Sequence, residues 1–210
     1  MSQQIILASN NAGKVAEIRE LLSEFDFNLV PQGEFDVPEV EETGTTFVEN
    51  AIIKARHASA LTGLPALADD SGLAVEGLGG EPGVRTARYA GVGASDTERM
   101  QQINADLLAC KAVTRRASFY CVIVYMRTAM DPAPIICQGV WEGEILLEPQ
   151  GEQGFGYDPI FYVPTHQCSA AQLDKAVKNQ LSHRGQALQQ LVLKFAENEE
   201  LTSKMVKNNS

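Results

Sequence analysis

A short apolar run, a polar turn containing glycine, and then a helical period follow one another at the start of this chain. Few folds accommodate that order. Residues 3–8 are apolar enough for a buried strand, and the stretch Ser9, Asn10, Asn11, Ala12, Gly13 is turn-forming. From Lys14, the apolar residues Val15, Ile18, Leu21, Leu22 and Phe25 recur at helical spacing. Strand, tight loop and helix make the opening unit of an α/β fold.

The rest of the chain extends that reading. Residues 29–31 suit a second short strand, and 34–44 form an acidic loop with Asp36, Glu39, Glu41 and Glu42. Thr46 and Glu49 stand at capping-box spacing, which predicts a helix to about Leu61 that ends at Gly63. Residues 65–68 are an apolar run that stops at Asp69-Asp70-Ser71-Gly72, and 78–83 form a Gly/Pro-rich loop with Arg85, Arg88 and Tyr89 beyond it. Ser95 and Glu98 repeat the capping-box spacing before a helix to about Ala109. Residues 119–126 and 135–147 are rich in β-branched and aromatic side chains and flank a turn-like link, which predicts an antiparallel pair. Helical patterns return over 169–178 and from Arg184 to about Glu197, and 201–210 reads as a frayed tail. Helix and strand alternate early and strands cluster late, so an α/β fold with a mixed sheet is expected.

Composition narrows the partners. The net charge of −10 over 210 residues would repel a long polyanion, so neither DNA nor RNA is expected as a ligand. A small anion is still compatible where basic groups converge. No apolar run approaches the roughly 20 residues that span a bilayer, and the first residues lack the basic and apolar segments of a signal peptide. No membrane association and a cytoplasmic location are therefore expected. Cys110, Cys121, Cys137 and Cys168 form no C-x-x-C pair and are expected as free thiols. With only three scattered histidines, no zinc site is expected.

Four segments could carry chemistry. The loop from Ser9 to Lys14 joins a strand to a helix N-terminus, where free N–H groups and the helix dipole favour phosphate, and Lys14 adds a charge. It is not a Walker A loop, because Ala8 stands where the first glycine would be and Val15 follows the lysine. It also reads as an ordinary helix start with a solvated lysine. Asp69 and Asp70 repel each other unless a cation intervenes or one is protonated. At the carboxyl end of a strand they would suit Mg²⁺, with Asp70 as ligand or base and Ser71 as a phosphate contact. The alternative is an acidic turn. Glu42 and its neighbours could add a metal ligand or simply be solvated, and Lys54 and His57 on the following helix read equally well as surface residues. In Gly154-Phe155-Gly156-Tyr157-Asp158, the two rings could stack on a base and Asp158 could orient it, or the rings could be core. Lastly, Lys178, Ser182, His183 and Arg184 could meet a base carbonyl or a phosphate, or serve only the helix ends.

Together these segments resemble the inosine/xanthosine triphosphate pyrophosphatase family, also called Ham1-like. The blocks are ILASNNAGK (6–14), ETGTTFVENA (42–51), ADDSGLAV (68–75), LGGEPGV (78–84), GFGYDPIF (154–161) and SHRGQAL (182–188), in the family's order. The resemblance runs from residue 5 to about 195 and is closest to the bacterial branch, which cleaves dITP, ITP and XTP.

The resemblance implies an elongated mixed β-sheet with flanking helices and two lobes around a central cleft. It makes residues 1–198 one domain, leaves 199–210 as a tail, and implies a homodimer. It places Ser9, Asn10, Asn11, Ala12, Gly13 and Lys14 in a triphosphate loop. Glu42 and Asp70 become ligands of Mg²⁺, with Asp70 also the catalytic base, and Lys54 and Ser71 become substrate contacts. Phe155, Gly156, Tyr157, Asp158, Lys178, His183 and Arg184 become the base pocket. The implied reaction converts deaminated purine triphosphates to monophosphate and pyrophosphate, cleansing the nucleotide pool. Asn10 departs from the glycine common among bacterial members; asparagine tolerates unusual backbone angles. Two other functions compete: a Maf-like pyrophosphatase for modified pyrimidine nucleotides, and a nucleotide-binding module without catalysis.

Overall fold

A computed structural model describes residues 3–23 and 27–208; Phe25, expected on the first helix, lies outside them. The strands are β1 (Gln3–Leu7), β2 (Phe27–Pro31), β3 (Ala66–Val75), β4 (Arg116–Met126), β5 (Ile135–Ile145), β6 (Phe161–Val163) and β7 (Cys168–Ser169). The helices are α1 (Ala12–Leu21), α2 (Phe47–Thr62), α3 (Asp96–Ala109), α4 (Lys175–Leu181) and α5 (His183–Asn208). All seven strands form one sheet in the order β2-β1-β3-β4-β5-β6-β7. β1 lies parallel to β2 and β3, and every later pairing is antiparallel, so the sheet is mixed as expected.

Local chemistry starts the early helices where the sequence predicts. Asn11 caps α1 by accepting from the Lys14 N–H. Thr46 with Glu49 and Ser95 with Glu98 complete both halves of their capping boxes, and Gly63 ends α2 in the left-handed conformation. Caps of this kind contribute about 1 kcal/mol each.

Three expectations change. β3 does not stop before the aspartates: it runs through Asp69 and Asp70 to Val75, paired with β4 along its whole length. Ten ladder positions outweigh the poor strand propensity of two carboxylates. The helix expected over 169–178 is instead β7, a 3₁₀ turn at Ala170–Gln172 and the shorter α4. Ser169 and Gln172 cap that single turn, a pattern that periodicity cannot separate from a helix start. α5 continues past Glu197 to Asn208, through a stretch with neither glycine nor proline.

The pleat sorts β3 between two layers. Ala66 and Ala68 pack with Ala51, Ala55 and Ala58 of α2 on one face. Leu67 packs with Ile18 of α1 and with Leu188 and Leu191 of α5 on the other. Farther along that second face, Leu73, Val75, Phe119 and Trp141 form a separate core with Met100, Ile103 and Leu107 of α3. Between the cores, β1 pairs with β3 only at Ala66 and Leu67. Beyond Leu7, no strand among the described residues pairs with residues 68–73 on that side, and this open edge receives the site. The four cysteines are free, and among the described residues no helix is long and apolar enough to cross a membrane.

Candidate functional site

The open edge of β3 presents neighbouring side chains to opposite faces of the sheet, and this separates the two aspartates. Asp69 points towards α1 and α5. It is 1% exposed; its Oδ2 lies 2.9 Å from Lys14 Nζ and 3.5 Å from Arg184 Nη2, and it accepts from Ser71 Oγ at 3.3 Å. Burial alone would raise its pKa, but Lys14, Arg184 and Lys54 hold it well below the usual carboxylate range. Asp70 points towards α2. Lys54 Nζ donates to its Oδ1 at 2.9 Å, and the buried Asn50 donates to its Oδ2 at 3.4 Å. Here burial wins over Lys54, and the pKa of Asp70 is raised. One carboxylate is therefore a fixed counter-ion, and the other is displaced towards the range where a base works.

Lys54 also lies 2.9 Å from Glu42 Oε1, so a single ammonium holds both carboxylates of the expected metal pair. Burial lowers its pKa, but Asp70, Asp69 and Glu42 together raise it, so it stays charged. Lys54 is thus no ordinary surface lysine, whereas His57 meets the Pro38 carbonyl at 3.0 Å and does not line the cavity. In the N-terminal loop, the Asn11 N–H donates to Ser9 Oγ and Asn10 Nδ2 donates to Glu39 Oε1. The asparagine at position 10 therefore ties this loop to the acidic one.

The other end of the site is built from rings. Gly154 (φ +80°) and Gly156 (φ +64°) take left-handed backbone angles, and a Cβ on Gly154 would stand 2.1 Å from Asp158 Oδ2. That oxygen accepts from the Phe155 N–H at 2.9 Å and from Lys178 Nζ at 2.6 Å. Burial raises the Asp158 pKa although Lys178 opposes it. Phe155 is 39% exposed, with Lys178 Nζ 5.2 Å and Arg184 Cζ 5.7 Å from its ring centre. Tyr157 is buried, and its hydroxyl donates to the Thr86 carbonyl at 2.8 Å. One ring of the motif is thus available for stacking and the other belongs mainly to the core. His183 stacks on Phe119 at 4.8 Å and 9°. Burial, then Arg184 and Lys178, hold it neutral. The same helix start approaches β5 so closely that a Cβ on Gly139 would meet the His183 carbonyl at 1.9 Å.

These groups surround one cavity of about 360 Å³, within the size range of small-ligand sites. Asn11, Gly13 and Lys14 line it with Glu42, Lys54, Asp70 and Ser71, and so do Phe155, Gly156, Tyr157, Asp158, Lys178, His183 and Arg184. Ser9 and Asn10 of the preceding loop, and Ala12 at the start of α1, do not line the cavity. Sequence reasoning missed Glu17, Asp96, Arg99 and Phe119, which also line it. Glu17 binds Arg184 and lies 3.8 Å from Lys178. Its position three residues after Lys14 on one helix was a usable signal. Asp96 was hidden behind the capping role of its neighbours.

An α/β sheet that opens at the end of β1 onto paired lysines and carboxylates, with an exposed ring near two further cations, defines a protein built to bind a phosphorylated planar ring. More particularly, the chain belongs to the Ham1 family, whose sequence model matches residues 5–194. The dITP/XTP pyrophosphatase of Coxiella burnetii is 60% identical over 188 residues, covering 90% of this chain and 94% of its own. That of Idiomarina loihiensis is 58% identical, covering 93% and 100%. A HAM1 protein structure from Coxiella burnetii superposes with a TM-score of 0.89 at 58% identity, covering 93% of this chain and 99% of its own. The Staphylococcus aureus Ham1 structure does so with 0.82 at 41% identity, covering 94% and 100%.

Proposed function

We propose that this protein hydrolyses dITP, ITP and XTP to the monophosphate and pyrophosphate. The observation that carries the reading is Lys54, whose ammonium gathers Glu42 and Asp70 at 2.9 Å each in the cavity that Phe155 also lines. The dITP/XTP pyrophosphatases that resemble the chain over nine-tenths of its length support the substrate class.

The donor set fits Mg²⁺. Two carboxylates converge on one cation, and among the described residues no group of three or more His, Cys, Asp or Glu could hold a metal alone. Mg²⁺ commonly takes one or two carboxylates and completes its shell with substrate phosphates and water. Glu42 and Asp70 would hold it, and when bound it neutralises charge on the phosphate oxygens. Lys14 and the N–H groups at the start of α1 hold the triphosphate. Asp70 takes a proton from water as the water oxygen bonds to the α-phosphorus. The bond from that phosphorus to the bridging oxygen breaks, and pyrophosphate leaves. At the other end, Phe155 stacks on the base. Lys178 and Arg184 carry only hydrogen-bond donors, which pair with the 6-oxo group of hypoxanthine or xanthine and not with the 6-amino group of adenine. A homodimer of one two-lobed domain, residues 1–198 with the tail 199–210, is part of the same proposal; sedimentation gives its mass.

Product analysis with ITP, XTP and ATP, with and without Mg²⁺, tests the function. Pyrophosphate release from ITP and XTP, far faster than from ATP and abolished by chelation, is the expected result. Comparable kcat/KM for ATP, preferential cleavage of a modified pyrimidine triphosphate, or stabilisation by ITP without product would overturn it.

A further inference from the structure

The turn that carries Phe155 has glycine on both sides of the ring, and glycine does little to fix a backbone. The ring itself is 39% exposed, so packing holds it only in part. Two carboxylates add to that hold. On one side, Asp158 Oδ2 accepts from the Phe155 N–H. On the other, Asp96 Oδ2 accepts from the Gly156 N–H at 2.7 Å, across 60 residues of sequence. Asp96 is the first residue of α3, and its second oxygen accepts from Arg99. Arg99 is anchored in turn, donating to the carbonyls of Ala87 at 2.8 Å and Ala94 at 2.7 Å. The exposed turn is thus fastened to the segment before α3 by this carboxylate, beside the Tyr157 hydroxyl that donates to the Thr86 carbonyl.

We infer that Asp96 is a positioning residue for the base: it holds the Phe155 turn in the shape that receives a purine. This inference rests on the function proposed above. A charge-assisted hydrogen bond at the rim of a cavity cuts the ordering that substrate binding must otherwise impose. Its loss weakens binding and leaves the chemistry at Asp70 intact, so KM rises and kcat holds. Asp96 is not needed to cap α3, because Ser95 and Glu98 make the capping box on their own.

The test is steady-state kinetics of Asp96→Ser and Asp96→Asn with ITP and ATP. Serine suits a helix start but falls short of Gly156; the asparagine amide oxygen still accepts from that N–H. For Asp96→Ser, KM for ITP is expected to rise about tenfold with kcat within about twofold, the loss typical of a hydrogen bond to a charged group. Asp96→Asn is expected to restore most of the affinity. Amide exchange over residues 151–158 is expected to be faster in the serine variant than in the asparagine variant. Unchanged KM and exchange in Asp96→Ser, or an equal fall in kcat and kcat/KM, overturns the inference while leaving the functional reading in place. Failure of the wild-type enzyme to prefer ITP over ATP strikes that reading first and the inference with it. If Asp96→Ser does not fold, the exchange of Asp96→Asn against wild type decides, and faster exchange there despite the retained acceptor overturns the inference.

Discussion

The two ends of the cavity are held by different forces. At the phosphate end, charges are fixed by other charges: Lys14 by Asp69, and Lys54 by Glu42 and Asp70, each at 2.9 Å. At the base end, rings and one turn set the shape: His183 on Phe119, and Phe155 between Lys178 and Arg184. A charged network built before substrate arrives spares reorganisation when charge develops on phosphate. A half-exposed ring on a turn held by Asp96 and Asp158 offers a planar ligand a ready surface. On this contrast, damage at the first end removes turnover or stability, and damage at the second removes affinity and selectivity.

Three substitutions test that division, and a fourth tests the charge state of His183. Asp70→Asn has the largest expected effect, a loss of about 10³-fold in kcat for ITP, as when a general base is removed. KM should stay within a few-fold and the unfolding transition should be unchanged. Near-normal turnover would remove Asp70 from the chemistry. Asp69→Asn comes next. It strips Lys14 and Arg184 of the buried carboxylate they share, and chemical denaturation should show a loss of about 3 kcal/mol. A loss below about 1 kcal/mol would mean that the network does not depend on that charge.

Phe155→Ala should leave kcat within about threefold and raise KM for ITP by roughly tenfold or more, the equivalent of about 1–3 kcal/mol of stacking. A fall in kcat with KM unchanged would place the ring at the wrong end of the comparison. The smallest effect concerns His183, whose folded-state pKa lies well below 6.5, first because of burial and then because of Arg184 and Lys178. The unfolded chain takes up a proton near pH 6.5 and the folded one does not, so stability present above that pH is lost as pH falls towards the folded value. His183→Gln removes this proton uptake. Melting temperatures between pH 7 and pH 5 should fall less steeply for the variant than for wild type, and parallel slopes would contradict a neutral buried ring.

Much of the architecture was readable locally. Thr46 and Ser95 announced two helix starts, and Gly63 announced one end. The antiparallel pair of β4 and β5 followed from β-branched and aromatic runs. The short elements after Val163 were not readable, because a two-residue strand and a single 3₁₀ turn carry no period. Among site residues, the expected segments do meet at one cavity. Glu17 and Asp96 escaped notice because each sits on a helix whose sequence already had a sufficient local explanation.

By itself, the sequence determined which residue types were available and which short segments would turn, cap and extend, since those choices depend on neighbours a few residues away. Only the tertiary structure decided what adjacent Asp69 and Asp70 each do. β3 continues past the end of β1, and the pleat sends one carboxylate to Lys14 and Arg184 and the other to Lys54 and Asn50. A partner as far along the chain as Arg184 sets the Asp69 environment, and no local pattern encodes it.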